Sequence, residues 1–303
     1  MKLAVILRAM LFIVFLSAMI PVAIGQQNTS QRYLAQPTPG SKAELFAPGL
    51  VSTNGLTEFG SVFSQDGNTF YYAIEPNGKA EIHAMRFVNN AWSKPEVVLT
   101  HSRYGYNDPF LSSDEKRLYF ISTRALDGKG DPKDYDIWYV ERKGDGWSDP
   151  INAGNKINSS RNEYYVSFTK NGTMYFSSDK EDKNNSNNFD IYSSANIRGE
   201  FQTPVRLSDA INSPGYEADV FVAPDESYLI FSAEKPGGEG RGDLYISFRN
   251  SNGTWTTAKN LGKEVNGLVS EYCPFVTSDG KYFFYTKQND IYWIDAGFIN
   301  ELR

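Results

Sequence analysis

Short runs of alternating hydrophobic and polar residues, each closed by turn residues, recur along this chain at a spacing of 54. Asn158, Asn212 and Asn266 stand 54 positions apart, and so do Glu163, Glu217 and Glu271, and Trp147, Phe201 and Trp255. The unit reads INSSRNEYYVSFTKNGTMYFSSDK, then INSPGYEADVFVAPDESYLIFSAEK, then VNGLVSEYCPFVTSDGKYFFYTK. Two more divergent copies precede it, STNGLTEFGSVFSQDGNTFYYAIE and YGYNDPFLSSDEKRLYFISTR. Alternation over so few residues predicts strands rather than helices. A long period built from strands is the mark of a propeller or a solenoid.

The fourth unit shows how one repeat becomes one sheet. Ala218–Val222 reads as the innermost strand, Pro224-Asp225-Glu226 as a turn, and Tyr228–Ser232 as the second strand. The glycine-rich loop EKPGGEGRG leads to a third strand, Asp243–Phe248, and Asn252-Gly253 then turns the chain so that Trp255 opens an outer strand. Trp92, Trp147 and Phe201 are expected to open the outer strands of their units. Four antiparallel strands per unit make a propeller blade. The fifth unit lacks its outer strand, and Leu45-Phe46-Ala47-Pro48 supplies a matching piece at the other end. The expected fold is therefore all-β: a five-bladed β-propeller with four-stranded blades, its ring closed by the N-terminal strand.

Turn and strand motifs of the form S-D-G, LYF-S and D-I-Y resemble those of TolB-like propellers built from WD40-like repeats. EKPGGEGRGDLYIS and INSPGYEAD are similar to repeats of exported and envelope proteins of Bacteroidetes-type bacteria. The resemblance covers residues 44–303. It implies a propeller that binds partners or serves as a scaffold, in a family that also contains some enzymes.

Lys2 and Arg8 followed by the apolar run AMLFIVFLSAMIPVAIG read as a secretory signal peptide over residues 1–25, cleaved after Gly25. Residues 26–43 are polar, carry Pro37 and Pro39, and read as a flexible leader; residues 44–303 form the propeller domain. Cleavage predicts a periplasmic or secreted protein whose mature chain does not insert into a membrane. Removing the two basic residues of the signal leaves 28 basic and 36 acidic side chains, a net charge of −8. That balance argues against nucleic acid as a partner. Cys273 is the only cysteine, so an exported chain has no internal disulfide and depends on its core.

The repeat places Glu58, Glu163, Glu217 and Glu271 just before the inner strands, with Tyr106 at the same register in the second unit. Asp108 and Asp219 follow two residues later. These positions are expected at one mouth of the central channel, as a rim of carboxylates facing a funnel. Arg124, Lys180 and Lys235, on the unequal loops 122–135, 178–189 and 233–242, are expected above it. Residues that differ between units carry more functional information than those the fold repeats: Tyr106, Asn107, Asp108, Tyr164, Tyr165, Asp219 and Tyr272. The aspartates that open the third strands are expected to bond local backbone. Residues 127–136, DGKGDPKDYD, have acidic offsets like a calcium loop but lack its glutamate at the twelfth position, so calcium is a minor alternative and no cofactor is expected.

The sequence thus favours a non-catalytic binding or scaffold propeller of the cell envelope, holding a protein or glycan at the channel mouth. The alternative is a glycan-active enzyme, since five-bladed propellers resemble the architecture of arabinanase-like glycosidases. Its candidate acid and base would come from Glu163, Glu217, Asp219 and Glu271.

Overall fold

A computed structural model describes residues 32–181 and 188–303, and in it the chain forms a five-bladed β-propeller of antiparallel sheets. The expected signal peptide lies outside the described residues. Inner strands are Glu58–Phe63, Asn107–Leu111, Glu163–Phe168, Glu217–Val222 and Glu271–Val276. Each pairs with a second strand, and the second with a third that begins at Glu81, Asp136, Asp190, Asp243 or Asp290. Among the described residues no helix is long and apolar enough to cross a membrane.

Closure is as the repeat predicts. Glu44–Leu45 pairs antiparallel with the last third strand, Glu44 opposite Trp293 and Leu45 opposite Tyr292. Phe46 then sits fully buried at the seam, with ring centroids 5.4, 5.0 and 5.1 Å from Phe70, Phe284 and Trp293. First and last blades are therefore joined by an aromatic cluster as well as by backbone pairing. The segment expected as a flexible leader is tied down from Tyr33 onward. Tyr33 and Leu34 are buried, and the Tyr33 ring packs edge-on against Phe63 and Tyr282. Its apolar residues, few as they are, find a groove beside the closing blade.

The tryptophans do not open the outer strands. Ala91–Trp92 and Gly146–Trp147 fold back onto the far ends of the third strands Glu81–Val88 and Asp136–Lys143. Those strands are eight residues long and overrun the blade, so their ends need a partner of their own. In the first blade Asn89 and Asn90 make that tight turn, both left-handed at φ 53° and 61°. The outer strands proper follow the prolines, at Glu96–Leu99, Ile151–Asn152 and Val205–Arg206, with Lys259–Asn260 in the fourth blade.

Repeated asparagines explain part of the period. Asn158 accepts from the Ile137 amide and donates to its carbonyl, both at 2.9 Å; Asn212 does the same at Ile191 and Asn266 at Leu244. Each side chain thus pairs the backbone of the preceding blade where the outer strand has left it.

Every inner strand carries an irregularity at one register. Gly60, Asp108, Tyr165, Asp219 and Cys273, each two residues past the repeat glutamate position, are left-handed with φ between 43° and 60°. Pairing with the second strand shifts at that point in all five blades. These are β-bulges, and they free backbone donors from the ladder. Pro109 and Pro274 occupy such positions, where the missing N–H costs no ladder bond.

Candidate functional site

The bulges decide what faces the channel. Counting from the repeat glutamate position (Tyr106 in the second blade), the first side chain points back into the loop that enters the strand, the second faces the channel mouth, and the third is left-handed. Phe59, Asn107, Tyr164, Ala218 and Tyr272, the second residues, all line one cavity of about 630 Å³. Asp108, Asp219 and Cys273 form its floor. Tyr135, Phe189, Glu234 and Gly242, from the unequal loops, complete the wall with Tyr216.

The expected rim of glutamates is displaced from this cavity. Glu58, Glu163, Glu217 and Glu271 are fully buried and do not line it. Glu163 accepts from the Ser159 amide and hydroxyl at 2.9 and 2.7 Å, and from the Ser178 hydroxyl. Glu217 is held likewise by Ser213 and by Lys235 Nζ at 2.8 Å, and Glu58 by Thr53. At Glu271 the matching serine is Gly267, and Lys287 approaches at 3.0 Å instead. In the second blade Tyr106 replaces the glutamate and accepts from Arg124 at 3.2 Å. The physical reason is local. Glu58, Glu163 and Glu217 each satisfy hydroxyl and backbone groups of their own entry loop, and Glu271 meets Lys287, so all four turn away from the mouth.

The basic loop residues are drawn in with them. Arg124 lies over the Tyr104 and Trp138 rings, Lys180 Nζ sits 3.8 Å from the Tyr192 ring centroid, and Lys235 is bound to Glu217 and the Ile211 carbonyl. None of the three lines the cavity. In the 127–136 loop, Asp127 accepts from the Lys129 and Gly130 amides, and Asp134 and Asp136 both face Lys133. Among the described residues no group of three or more His, Cys, Asp and Glu side chains is arranged to hold a metal ion.

The floor is the chemically unusual part. Cys273 Sγ donates to Asp108 Oδ1 at 3.2 Å, and the Cys273 amide donates to Asp219 Oδ2 at 3.4 Å. Tyr165 closes the ring by donating its hydroxyl to the Pro274 carbonyl at 2.8 Å. Asp108 and Asp219 are more than nine-tenths buried, and among the described residues their other carboxylate oxygens have no hydrogen-bond partner. Burial, and then the charge of Asp219, pushes Asp108 up to about 7; burial pushes Asp219 up to about 6. Both carboxyls are thus held towards the protonated form, and the charge of one opposes ionisation of the other. The Cys273 thiol is pushed well up by burial and by both carboxylates, so it stays a donor.

Above the floor stands a wall of rings. Tyr135 and Tyr164 lie 4.7 Å apart between centroids, Tyr164 and Phe189 5.7 Å, and Phe189 and Tyr216 5.9 Å. Burial and the carboxylates below raise the phenols of Tyr164, Tyr216 and Tyr272, which keeps them neutral donors. Asn107, Asn162, Ser232 and Ser270 add neutral polar groups. Such a site can stack flat apolar faces, hydrogen-bond hydroxyls and hold or release a proton.

Sequence reasoning marked Asn107, Asp108, Tyr164, Asp219 and Tyr272, and the structure brings all five to this cavity. It missed Phe59, Tyr135, Phe189, Tyr216 and Cys273. The available signal was register: reading one and two residues past each repeat glutamate position yields Phe59 and Cys273 directly.

No protein-family model matches the chain, and a search of curated proteins finds no match. Solved structures do resemble it. A putative TolB from Agrobacterium tumefaciens superposes with a TM-score of 0.50 at 14% identity, covering 75% of this chain and 69% of that one. TolB from Acinetobacter baumannii gives 0.50 at 13% identity, covering 79% of this chain and 54% of the other, so the chain spans about half of that protein. A thermostable family-43 glycoside hydrolase gives 0.55 at 13% identity, covering 80% and 90%. At these identities the likeness is one of fold: the chain is a five-bladed β-propeller whose shape is shared by TolB proteins and by a glycoside hydrolase alike.

Proposed function

We propose that the chain is an exported binding propeller of the bacterial cell envelope, and that its ligand is a glycan seated in the aromatic funnel. One observation carries this reading: the wall of Tyr135, Tyr164, Phe189 and Tyr216 over a recessed floor of polar groups. Sugar rings present flat C–H faces that stack on aromatic rings and hydroxyls that need neutral partners, and this wall offers both. A recessed cavity of about 630 Å³ is sized for a few sugar rings. A protein partner would have to send a protruding segment into it. The repeat's resemblance to envelope proteins and the expected signal peptide support export.

A glycan array probed with the mature protein, followed by titration of each hit against Tyr164→Ala and Tyr272→Ala, tests this reading. Both side chains are only half-buried, so the variants should fold. Loss of binding in both supports the funnel. Undiminished binding in both moves the ligand elsewhere.

A second reading, hydrolysis of the bound glycan, is favoured by the Asp108–Asp219 pair. Two carboxyl groups facing one cavity, both raised towards neutrality by burial, are the parts that acid–base cleavage of a glycosidic bond uses. Incubating each array hit with wild type and with Asp219→Asn separates binding from turnover. Intact glycan after prolonged incubation with wild type rules hydrolysis out.

A further inference from the structure

We propose that the ligand of the funnel is positively charged, and that its ammonium group seats over Asp108 and Asp219 inside the ring of aromatic side chains. This rests on the funnel being the binding site and adds the ligand's charge. The argument is one of composition at the site. Four carboxylates line the cavity, Asp108 and Asp219 at the floor and the exposed Glu75 and Glu234 higher on the wall. Among the described residues no lysine, arginine or histidine lines it. Elsewhere in the blades buried acids have been given partners: Lys235 for Glu217, Lys287 for Glu271, Lys133 for Asp136 and Arg206 for Asp190. Glu58, Glu163 and Asp243 are buried without a cation and accept instead from hydroxyl, amide and backbone groups around them; each floor aspartate accepts a single hydrogen bond, from Cys273. The two floor aspartates are more than nine-tenths buried, each keeps an oxygen without a hydrogen-bond partner among the described residues, and both open onto the cavity.

A buried carboxylate without a cation is costly unless something arrives to neutralise it. What can arrive is constrained by the wall. Phe59, Tyr135, Tyr164, Phe189, Tyr216 and Tyr272 surround the approach with π faces and edges. Aromatic faces attract ammonium groups, most strongly where water is excluded. An anionic ligand would meet four acids and no base. A neutral sugar would leave the floor uncompensated. An amino sugar answers both halves of the site, its ring stacking on the wall and its ammonium reaching the floor. A quaternary amine without a sugar would share only the second half.

Three probes of different charge decide it, titrated calorimetrically into the mature protein near neutrality. They are a β-1,4-linked glucosamine trimer, cellotriose, which carries hydroxyls in place of the amines, and choline. The glucosamine trimer is expected to bind about tenfold or more tightly than cellotriose, equivalent to about 1.4 kcal/mol or more from desolvated cation–π and ion-pair contacts. That gap should collapse in Asp108→Asn and Asp219→Asn, both close in shape to the parent side chains. Binding of choline without either trimer would support the charge and overturn the glycan reading. Equal affinity for the two trimers would overturn the charge and leave the glycan reading standing. Absence of binding by both cationic probes would overturn the inference outright.

Discussion

Asp108 and Cys273 meet across the propeller axis, thiol to carboxylate at 3.2 Å, from inner strands 165 positions apart. They can do so because Gly60, at the same register in the intervening first blade, has no side chain. A Cβ added there would stand 2.8 Å from the Asp108 Cα, and the backbone is left-handed at φ +60°. Gly60→Ala should therefore destabilise the protein by about 2–4 kcal/mol, from strain and from the displaced neighbour. Urea denaturation measures it. A change under about 0.5 kcal/mol, the scale of an ordinary surface substitution, would mean that the floor is not close-packed.

Glu217 and Asp219 lie two residues apart and should respond oppositely. Glu217→Gln leaves the half-buried Lys235 against a neutral amide and should cost about 1–3 kcal/mol of stability, with ligand affinity unchanged. Asp219→Asn should leave stability at pH 7 nearly unchanged or slightly raised and weaken the ligand. Thermal melts and titrations on the two variants give the four numbers. Reversed behaviour would place the functional carboxylates in the entry loops.

Stability should fall as pH rises towards neutrality. Asp108 and Glu163 are each raised to about 7 and Asp219 to about 6, mainly by burial. Between the usual carboxylate range and those values the folded state holds more protons than the unfolded, so stability declines as pH rises from about 4 to 7. Asp108→Asn removes one such group. It should match wild type near about pH 4 and exceed it near about pH 8, by an amount on the order of 1–2 kcal/mol. Equal stability at both pH values would show that Asp108 is not desolvated.

Ring closure depends on one short segment. Phe46 touches four aromatic rings drawn from the first and last blades. Phe46→Ala should cost about 3–5 kcal/mol, and deleting residues up to Pro48 should replace a single cooperative transition with a broad one. Calorimetry reads both, and an unchanged midpoint after the deletion would refute closure at this seam.

The blade count and the closing strand were legible because a 54-residue period exposes both the repeated parts and the missing one. The outer strands were misplaced because Trp92 and Trp147 carry strand-like residues that serve a side hairpin instead. Nothing local distinguishes the two uses; the length of the third strand does. Glutamates drew attention as the most regular carboxylates, and their regularity reflects a job shared by every blade. The floor was partly legible. Asp108 and Asp219 stood out as departures from the repeat, whereas Cys273 and Gly60 did not, because a left-handed bulge tolerates chemically unrelated residues and leaves no compositional trace.

The most direct test is a crystal structure of the mature protein with the tightest ligand from the glycan array. The account predicts density in the funnel, a ring stacked on Tyr164 or Tyr272 and a polar group within hydrogen-bond distance of Asp108 or Asp219. Density at the opposite mouth beside Phe110 and Phe275, or along the outer edges of the blades, with the funnel empty, would contradict it.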